Sequence, residues 1–279
     1  MELLKGKDVV SKINTEIKNE LEAFNGYIPH LAIVRVGENP DDLSYERSAI
    51  KKLGNLDLRH TSFVYPIEIT NEAFIDSFKS INNDGDIDGI LLLRPLPKHL
   101  DEKYIESIID PAKDIDGISP SNMAKIFTGD DTGFAPCTAQ AVIEMLEFLG
   151  EPLAGKRVAI VGRSLVVGKP LAMLLIKKNV TITVCHTKTI DLEGTCRNAE
   201  ILIAAAGKSK MINKAHVSEG AIVIDVGINV DENGKLCGDV DFEDIKDVAR
   251  IATPVPGGVG TVTTSVLAKQ LVRAASRKK

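Results

Sequence analysis

Gly162-Arg163-Ser164-Leu-Val-Val-Gly168-Lys-Pro170 follows directly on an apolar run, Val158 to Val161, and leads into another, Leu171 to Lys177. Strand, glycine turn and helix in that order make a seat for a pyrophosphate. The first glycine permits a tight turn, the last lets helix and strand approach, and the free N–H groups of the helix start can face the anion. Pro170 loses no hydrogen bond if it lies in the first turn. Ser164 takes the place of the middle glycine of G-x-G-x-x-G and the spacing is longer, so a plain strand-to-helix turn is the other reading. About 20 residues on, a site selective for NAD offers Asp or Glu to the ribose hydroxyls; this chain has Cys185-His186-Thr187-Lys188 instead. No acid there repels a 2′-phosphate, and Arg163, His186, Thr187 and Lys188 supply donors to one. That favours NADP over NAD, with solvated surface charge as the alternative for Arg163 and Lys188.

Metal and disulfide chemistry have little support. Cys137, Cys185, Cys196 and Cys237 lack C-x-x-C spacing, and no two of His30, His60, His99, His186 and His216 stand four residues apart. We expect no metal and reduced thiols in a cytoplasmic protein. The 34 basic residues are outnumbered by 39 acidic ones, for a net charge of -5. Nucleic acid and an anionic membrane surface are therefore poor partners. No apolar run approaches the ~20 residues of a spanning helix, and the first 25 residues carry no leader pattern, so we expect a soluble, unexported protein.

The elements that must position these residues are legible as alternating apolar runs and helical periods, which predict an α/β protein of two α/β domains, the second of Rossmann type with a mainly parallel sheet. Val10, Ile13, Ile17 and Leu21 recur at helical spacing. A buried strand at His30 to Val36, stopped by Gly37, is followed by a helix near Leu43 to Leu53. A strand at Thr61 to Tyr65, a helix capped by Thr70 and a strand at Gly89 to Leu93 complete the first series. Residues Asp110 to Pro136 read as loop. A helix at Thr138 to Leu149 leads into strands at Arg157 to Val161, Val180 to Cys185, Ile201 to Ala205 and Ala221 to Val226. Asp231-Glu-Asn-Gly234 reads as a turn between short strands, and helical period returns from Thr261 to Ser276. Two such domains would leave a ligand cleft between them.

Several runs, in order, carry a resemblance over nearly the whole chain: Val36-Gly-Glu-Asn-Pro40, Lys113-Asp-Ile-Asp-Gly117, Pro136-Cys-Thr138, Gly162-Arg-Ser164 with Val167-Gly168, Ile224-Asp-Val-Gly-Ile-Asn229 and Thr253-Pro-Val-Pro-Gly-Gly-Val-Gly260. They resemble the bifunctional methylenetetrahydrofolate dehydrogenase/methenyltetrahydrofolate cyclohydrolase family. The Pro254 to Gly260 run is the most specific. The resemblance implies a folate-binding catalytic domain over 1–137 plus 261–279, an NAD(P)-binding domain over 138–260, a tetrahydrofolate derivative as substrate, NADP or NAD as cofactor, and a homodimer. It implies that Tyr45 and Asp116 are the catalytic-site residues. Leu93, Pro256, Gly257, Gly258 and Thr263 join them around the folate, and Gly162, Arg163, Ser164, Gly168, Thr187 and Ile228 hold the cofactor. Asp114 and Asp225 would brace loops.

Two positions depart from the family. Its tyrosine is followed four residues later by a lysine, and a glutamine precedes its Leu-Pro-Leu-Pro turn; here those places hold Ala49 and Leu93. Lys51 would lie roughly 9 Å along the helix from Tyr45 and about 120° round it, and Lys52 ~10 Å away. Oxidation of the folate's one-carbon bridge needs positioning and no protein base, whereas hydrolysis of the resulting cation must move protons at water and at a ring nitrogen. The expectation is a dehydrogenase of one-carbon metabolism with weak or absent cyclohydrolase activity. Two alternatives stay open: a fully bifunctional enzyme in which Arg94, Tyr45 or Lys51 substitutes, and a catalytically inactive nucleotide-binding regulatory protein. A different two-domain NADP oxidoreductase would need His or Lys as proton acceptor, and none stands four residues after Tyr45.

Overall fold

His30 to Val36 is a strand of which every residue is buried, as a near-continuous apolar run in a parallel sheet should be. The computed structural model describes residues 1–232 and 234–278. In chain order its elements are β1 (Glu2–Leu3), α1 (Gly6–Glu22), β2 (His30–Val36), α2 (Pro40–Gly54), β3 (Arg59–Tyr65), α3 (Asn71–Asn83), β4 (Gly89–Leu92), α4 (Glu102–Ile108), α5 (Pro120–Thr128), α6 (Cys137–Phe148), β5 (Arg157–Val161), α7 (Gly168–Lys177), β6 (Thr181–Cys185), α8 (Leu192–Arg197), β7 (Ile201–Ala204), β8 (Ile222–Asp225), β9 (Asn229–Val230), β10 (Leu236–Cys237), β11 (Ile251–Ala252) and α9 (Val259–Ser276). The α/β class and the parallel sheets agree with the sequence reading.

The chain divides into two compact units. One comprises Ile13–Cys137 with Thr264–Lys279, the other Met1–Lys12 with Thr138–Thr263. The former holds a parallel sheet in the order β3-β2-β4. Its core joins β2 and β4 to Phe74, Phe78 and Ile81 of α3 and Ile105 of α4. Helix α2 starts where Asn39 accepts the Asp41 N–H at 2.9 Å, with Pro40 in its first turn, acids at its start and Lys51 and Lys52 at its end. Thr70 caps α3 as expected, accepting the Ala73 N–H. The other unit carries a six-stranded parallel sheet in the order β1-β11-β8-β7-β5-β6 and a small antiparallel pair, β9 and β10. The turn read at Asp231–Gly234 includes Asn233, which lies outside the described residues.

Two differences from the sequence reading have physical causes. Residues 1–12 belong with the 138–263 unit because Glu2 and Leu3 pair in parallel with Ile251 and Ala252 at its sheet edge; the division within the last helix falls after Thr263, not before 261. The stretch read as loop, Asp110 to Pro136, contains α5. Ser119 caps it, Pro120 stands in its first turn and Gly129 closes it in the left-handed conformation. Of its residues only Asn122 is buried, and its short apolar period, Met123, Ile126 and Phe127, stands among turn-forming residues that read as loop.

Candidate active site

Strands β6 and β7 flank β5 on opposite sides, so the chain reverses its course across the sheet at the carboxyl end of β5, where open parallel sheets receive ligands. Gly162 has φ +133°, and a Cβ on it would lie 2.0 Å from the Ala205 carbonyl oxygen. A Cβ on Gly168 would lie 2.1 Å from the Gly162 carbonyl oxygen. No side chain fits at either point. The Val167 N–H donates to Ser164 Oγ at 3.1 Å and the Lys169 N–H to the Ser164 carbonyl at 3.0 Å. Helix α7 then starts with no side-chain cap and with Pro170 in its first turn. An uncapped helix start behind a turn with glycine at both ends fits a pyrophosphate.

Around this turn, Arg163, Ser164, Thr187 and Lys188 are exposed. The Lys188 N–H donates to His186 Nδ1 at 3.1 Å, which puts the ring proton of His186 on Nε2 and makes that nitrogen a donor. Ile228, 66% exposed, projects from the loop after β8. Asp225 at the end of β8 accepts the N–H groups of Gly227, Asp239 and Val240 at 2.9, 3.0 and 3.0 Å, so it braces that loop. Burial pushes its carboxyl up to about 6 against those three bonds. In the same unit the Gly257 carbonyl accepts the Gly6 N–H at 2.8 Å, Pro256 is exposed and Gly258 buried. Thr263 is buried and donates to the Gly260 carbonyl at 3.0 Å.

In the other unit, Tyr45 is half-buried on α2, whose inner face is Glu46, Ala49 and Leu53. Ala49 is 0% and Leu93 6% exposed, so the two departures from the family pattern are buried apolar side chains. The Lys113–Gly117 run divides its roles. Lys113 is buried and donates to the carbonyls of Asn82 and Asp84 at 2.7 and 2.6 Å. Asp114, also buried, braces its loop by accepting from the Ile118 and Ser119 N–H groups and Asn122 Nδ2 at 2.9, 2.8 and 2.9 Å. Asp116 alone of the three is half-buried; it accepts the Cys137 N–H at the start of α6 at 2.9 Å. Burial holds its carboxyl above the usual carboxylate range, and burial, reinforced by the neighbouring Asp116, pushes the Cys137 thiol up.

Each cation near these positions is engaged or turned outward. Arg94 Nη1 donates to Glu106 Oε1 at 2.6 Å and lies 3.8 Å from Glu102, which also accepts the Leu96 N–H at 2.6 Å. Lys51 is exposed, and Lys52, whose pKa burial lowers, donates to Asn14 at 3.4 Å. The sequence reading missed a further pair. Arg35 of β2 donates through Nε to Glu46 of α2 at 2.7 Å and through Nη1 to the Gly37 carbonyl, and Ser62 donates to the other Glu46 oxygen at 2.6 Å. An arginine inside an otherwise apolar buried strand was the available signal, since such a charge needs a partner. A groove of about 940 Å³ at the carboxyl ends of β2 and β3 is lined by Asn39, Asp42, Ile67, Leu96 and Lys98 among others, and by none of Tyr45, Ala49, Leu93 and Asp116.

Comparison with known proteins decides what these two units are. Residues 4–116 match the family description "Tetrahydrofolate dehydrogenase/cyclohydrolase, catalytic domain", and residues 136–279 match "Tetrahydrofolate dehydrogenase/cyclohydrolase, NAD(P)-binding domain". The chain belongs to this family. A "Bifunctional protein FolD" of Clostridioides difficile is 49% identical over 275 residues, covering 98% of this chain and 96% of that protein. Among solved structures, the FolD enzyme of Campylobacter jejuni, a methylenetetrahydrofolate dehydrogenase/cyclohydrolase, is 36% identical, covers 100% of both chains and has a TM-score of 0.96. A Trypanosoma brucei dehydrogenase-cyclohydrolase, complexed with NADP cofactor and inhibitor, is 33% identical with a TM-score of 0.92, covering 99% of this chain and 97% of that one. The unit built on β5 to β8 is thus an NAD(P)-binding domain, and the family's chemistry is that of a tetrahydrofolate dehydrogenase and cyclohydrolase.

Proposed function

We propose that this family member oxidises methylenetetrahydrofolate to methenyltetrahydrofolate with NADP as the preferred cofactor, and hydrolyses the product weakly or not at all. The observation that carries the second half is the pair of buried apolar residues, Ala49 and Leu93, at the positions where the family has lysine and glutamine. Bound to the glycine turn, the nicotinamide cofactor supplies a hydride acceptor. The protein's part in that step is to position the reacting rings and exclude water; we assign the Gly162–Gly168 turn and Ile228 to the cofactor, and Tyr45, Leu93, Asp116, Pro256, Gly257, Gly258 and Thr263 to the folate. Asp116, when ionised, accepts paired N–H bonds from the amino-pyrimidinone edge of the folate.

Hydrolysis asks more of the side chains. Water attacking the methenyl carbon must lose a proton, and loss of the group that moves it commonly removes 10²–10⁴ of rate. Arg94 is a poor substitute because a guanidinium stays protonated and this one is held by Glu106 and Glu102. Preference for NADP is supported by the exposed Arg163, Thr187 and Lys188, by the Nε2 donor of His186, and by the absence of an acid between Cys185 and Lys188.

One pair of assays tests the reading. Purified protein given methylenetetrahydrofolate should generate reduced nicotinamide absorbance, faster per unit concentration with NADP than with NAD; given methenyltetrahydrofolate, it should hydrolyse it at a small fraction of the oxidation rate. Absence of cofactor reduction overturns the first half, and hydrolysis at a rate comparable to oxidation overturns the second. We further propose the homodimer that the resemblance implies and the cytoplasmic location that the unpaired cysteines suggest, the former checked by sedimentation.

A further inference from the structure

Asp239 follows the short strand β10 and is completely buried. Its carboxylate takes four donors. Oδ2 accepts the Ala206 and Gly207 N–H groups at 2.6 and 2.9 Å, and Oδ1 accepts the Lys208 N–H and Asn229 Nδ2 at 2.9 and 2.9 Å. The first three donors belong to the loop that leaves β7, and the fourth to the segment that leaves β8. These two strands are neighbours in the sheet. The Asp239 N–H is itself held by Asp225 Oδ1 at 3.0 Å, so both carboxylates form one bracket across the carboxyl ends of β7 and β8. The space for it is reserved in the sequence: a Cβ on Gly227 would lie 2.3 Å from Asp239 Oδ1, and one on Gly238 1.9 Å from Asp225 Oδ2.

The loops so tied are those beside the dinucleotide turn. The Ala205 N–H donates to the Val161 carbonyl at 2.8 Å, and the Ala205 carbonyl is the atom that leaves no room for a side chain at Gly162. Ile228 sits between Gly227, held by Asp225, and Asn229, held by Asp239. We infer that Asp239 is a positioning residue for the cofactor: its carboxylate locks the 205–208 and 226–229 loops into one floor, and so sets where Ile228 and the backbone beside Gly162 meet the dinucleotide. Asp239 need touch neither cofactor nor folate to do this. The inference rests on the cofactor-binding part of the proposed function and not on the folate chemistry.

Asp239→Asn tests it in the full-length protein. An asparagine has one acceptor oxygen, so part of the donor set would face its NH2 group at nearly unchanged volume. The expected result is a rise of about tenfold or more in the NADP Kd and in KM for NADP, with KM for methylenetetrahydrofolate within about twofold of the parent. A role in stability alone would lower the active fraction, and hence apparent kcat, leaving both KM values in place; that outcome, or an unchanged NADP Kd, overturns the inference. If Asp239→Asn does not fold, Asn229→Ala decides, because it removes one donor and leaves the three backbone bonds. An NADP Kd raised about threefold at unchanged melting temperature supports the bracket, and a parental Kd overturns it. A parent protein that binds NADP but turns over no folate counts against the proposed function, while the Kd comparison still judges Asp239.

Discussion

At the scale of single residues, the departure at Ala49 and Leu93 makes the sharpest prediction. Ala49→Lys with Leu93→Gln restores an amine four residues after Tyr45 and an amide to hold it. Hydrolysis of methenyltetrahydrofolate should then rise by at least about tenfold over the parent, within the range an acid–base group supplies. Because Ala49 is fully buried, the lysine also crowds the inner face of α2, and the melting transition should record a cost of about 1–3 kcal/mol. Asp225 gives a second residue-scale expectation. Its folded pKa of about 6 stands above its ordinary value of 3.8, so its contribution to stability is complete below the ordinary value and is lost as pH rises through about 6. Burial lowers the pKa of His216, which gives the opposite slope. The parent should therefore lose more melting temperature between about pH 5 and about pH 7 than Asp225→Asn, which keeps the His216 slope.

Elements decide how much of this was legible in advance. The glycine turn, the Thr70 cap, the buried run at β2 and the alternation of strands and helices are local signals, and each appears where the chain's own period and punctuation put it. Helix α5 was not legible, because its short apolar period, Met123, Ile126 and Phe127, is lost among the turn-forming residues on either side of it. The Arg35–Glu46 pair was half legible: the arginine inside β2 announced a partner, but nothing local named Glu46 on the next helix. That pair ties β2 to α2 at the residue after Tyr45, both side chains being under a tenth exposed. Glu46→Ala should lower stability by about 3–5 kcal/mol, since it strands a buried guanidinium, while Arg35→Met with Glu46→Leu should recover most of the loss in a chemical denaturation series. The Asp239 bracket was invisible for the same reason as Glu46. Its donors come from segments more than 30 residues away as well as from Asn229, and only the folded topology brings them together.

For the whole molecule, the resemblance already joined the last helix to the first domain, and what escaped the sequence is where the first residues belong. Apolar pattern places a boundary near residue 138, yet residues 1–12 join the cofactor unit through a two-residue strand too short to carry a period. The 13–137 unit in turn needs the second half of α9. Gln270 Nε2 donates to the Ile115 and Ala135 carbonyls at 2.6 and 3.0 Å, Arg273 donates to the Gly133 carbonyl at 2.9 Å, and its guanidinium lies 4.8 Å from the Phe134 ring centre. Deleting residues 264–279 leaves those buried carbonyls unpaired and uncovers Gly89, whose missing side chain makes room for Leu271. A protein so truncated should lose its cooperative thermal transition and become protease-sensitive within the 13–137 region.

The placement of Gln270 and Leu271 also fixes an order of events during synthesis. Residues 13–137 leave the ribosome early but lack their closing helix until residues 264–276 have been translated, so they must wait, partly open, while the entire cofactor unit is made. A nascent chain stalled before residue 264 would hold one finished unit at most, and the 13–137 unit would close only once α9 had been made.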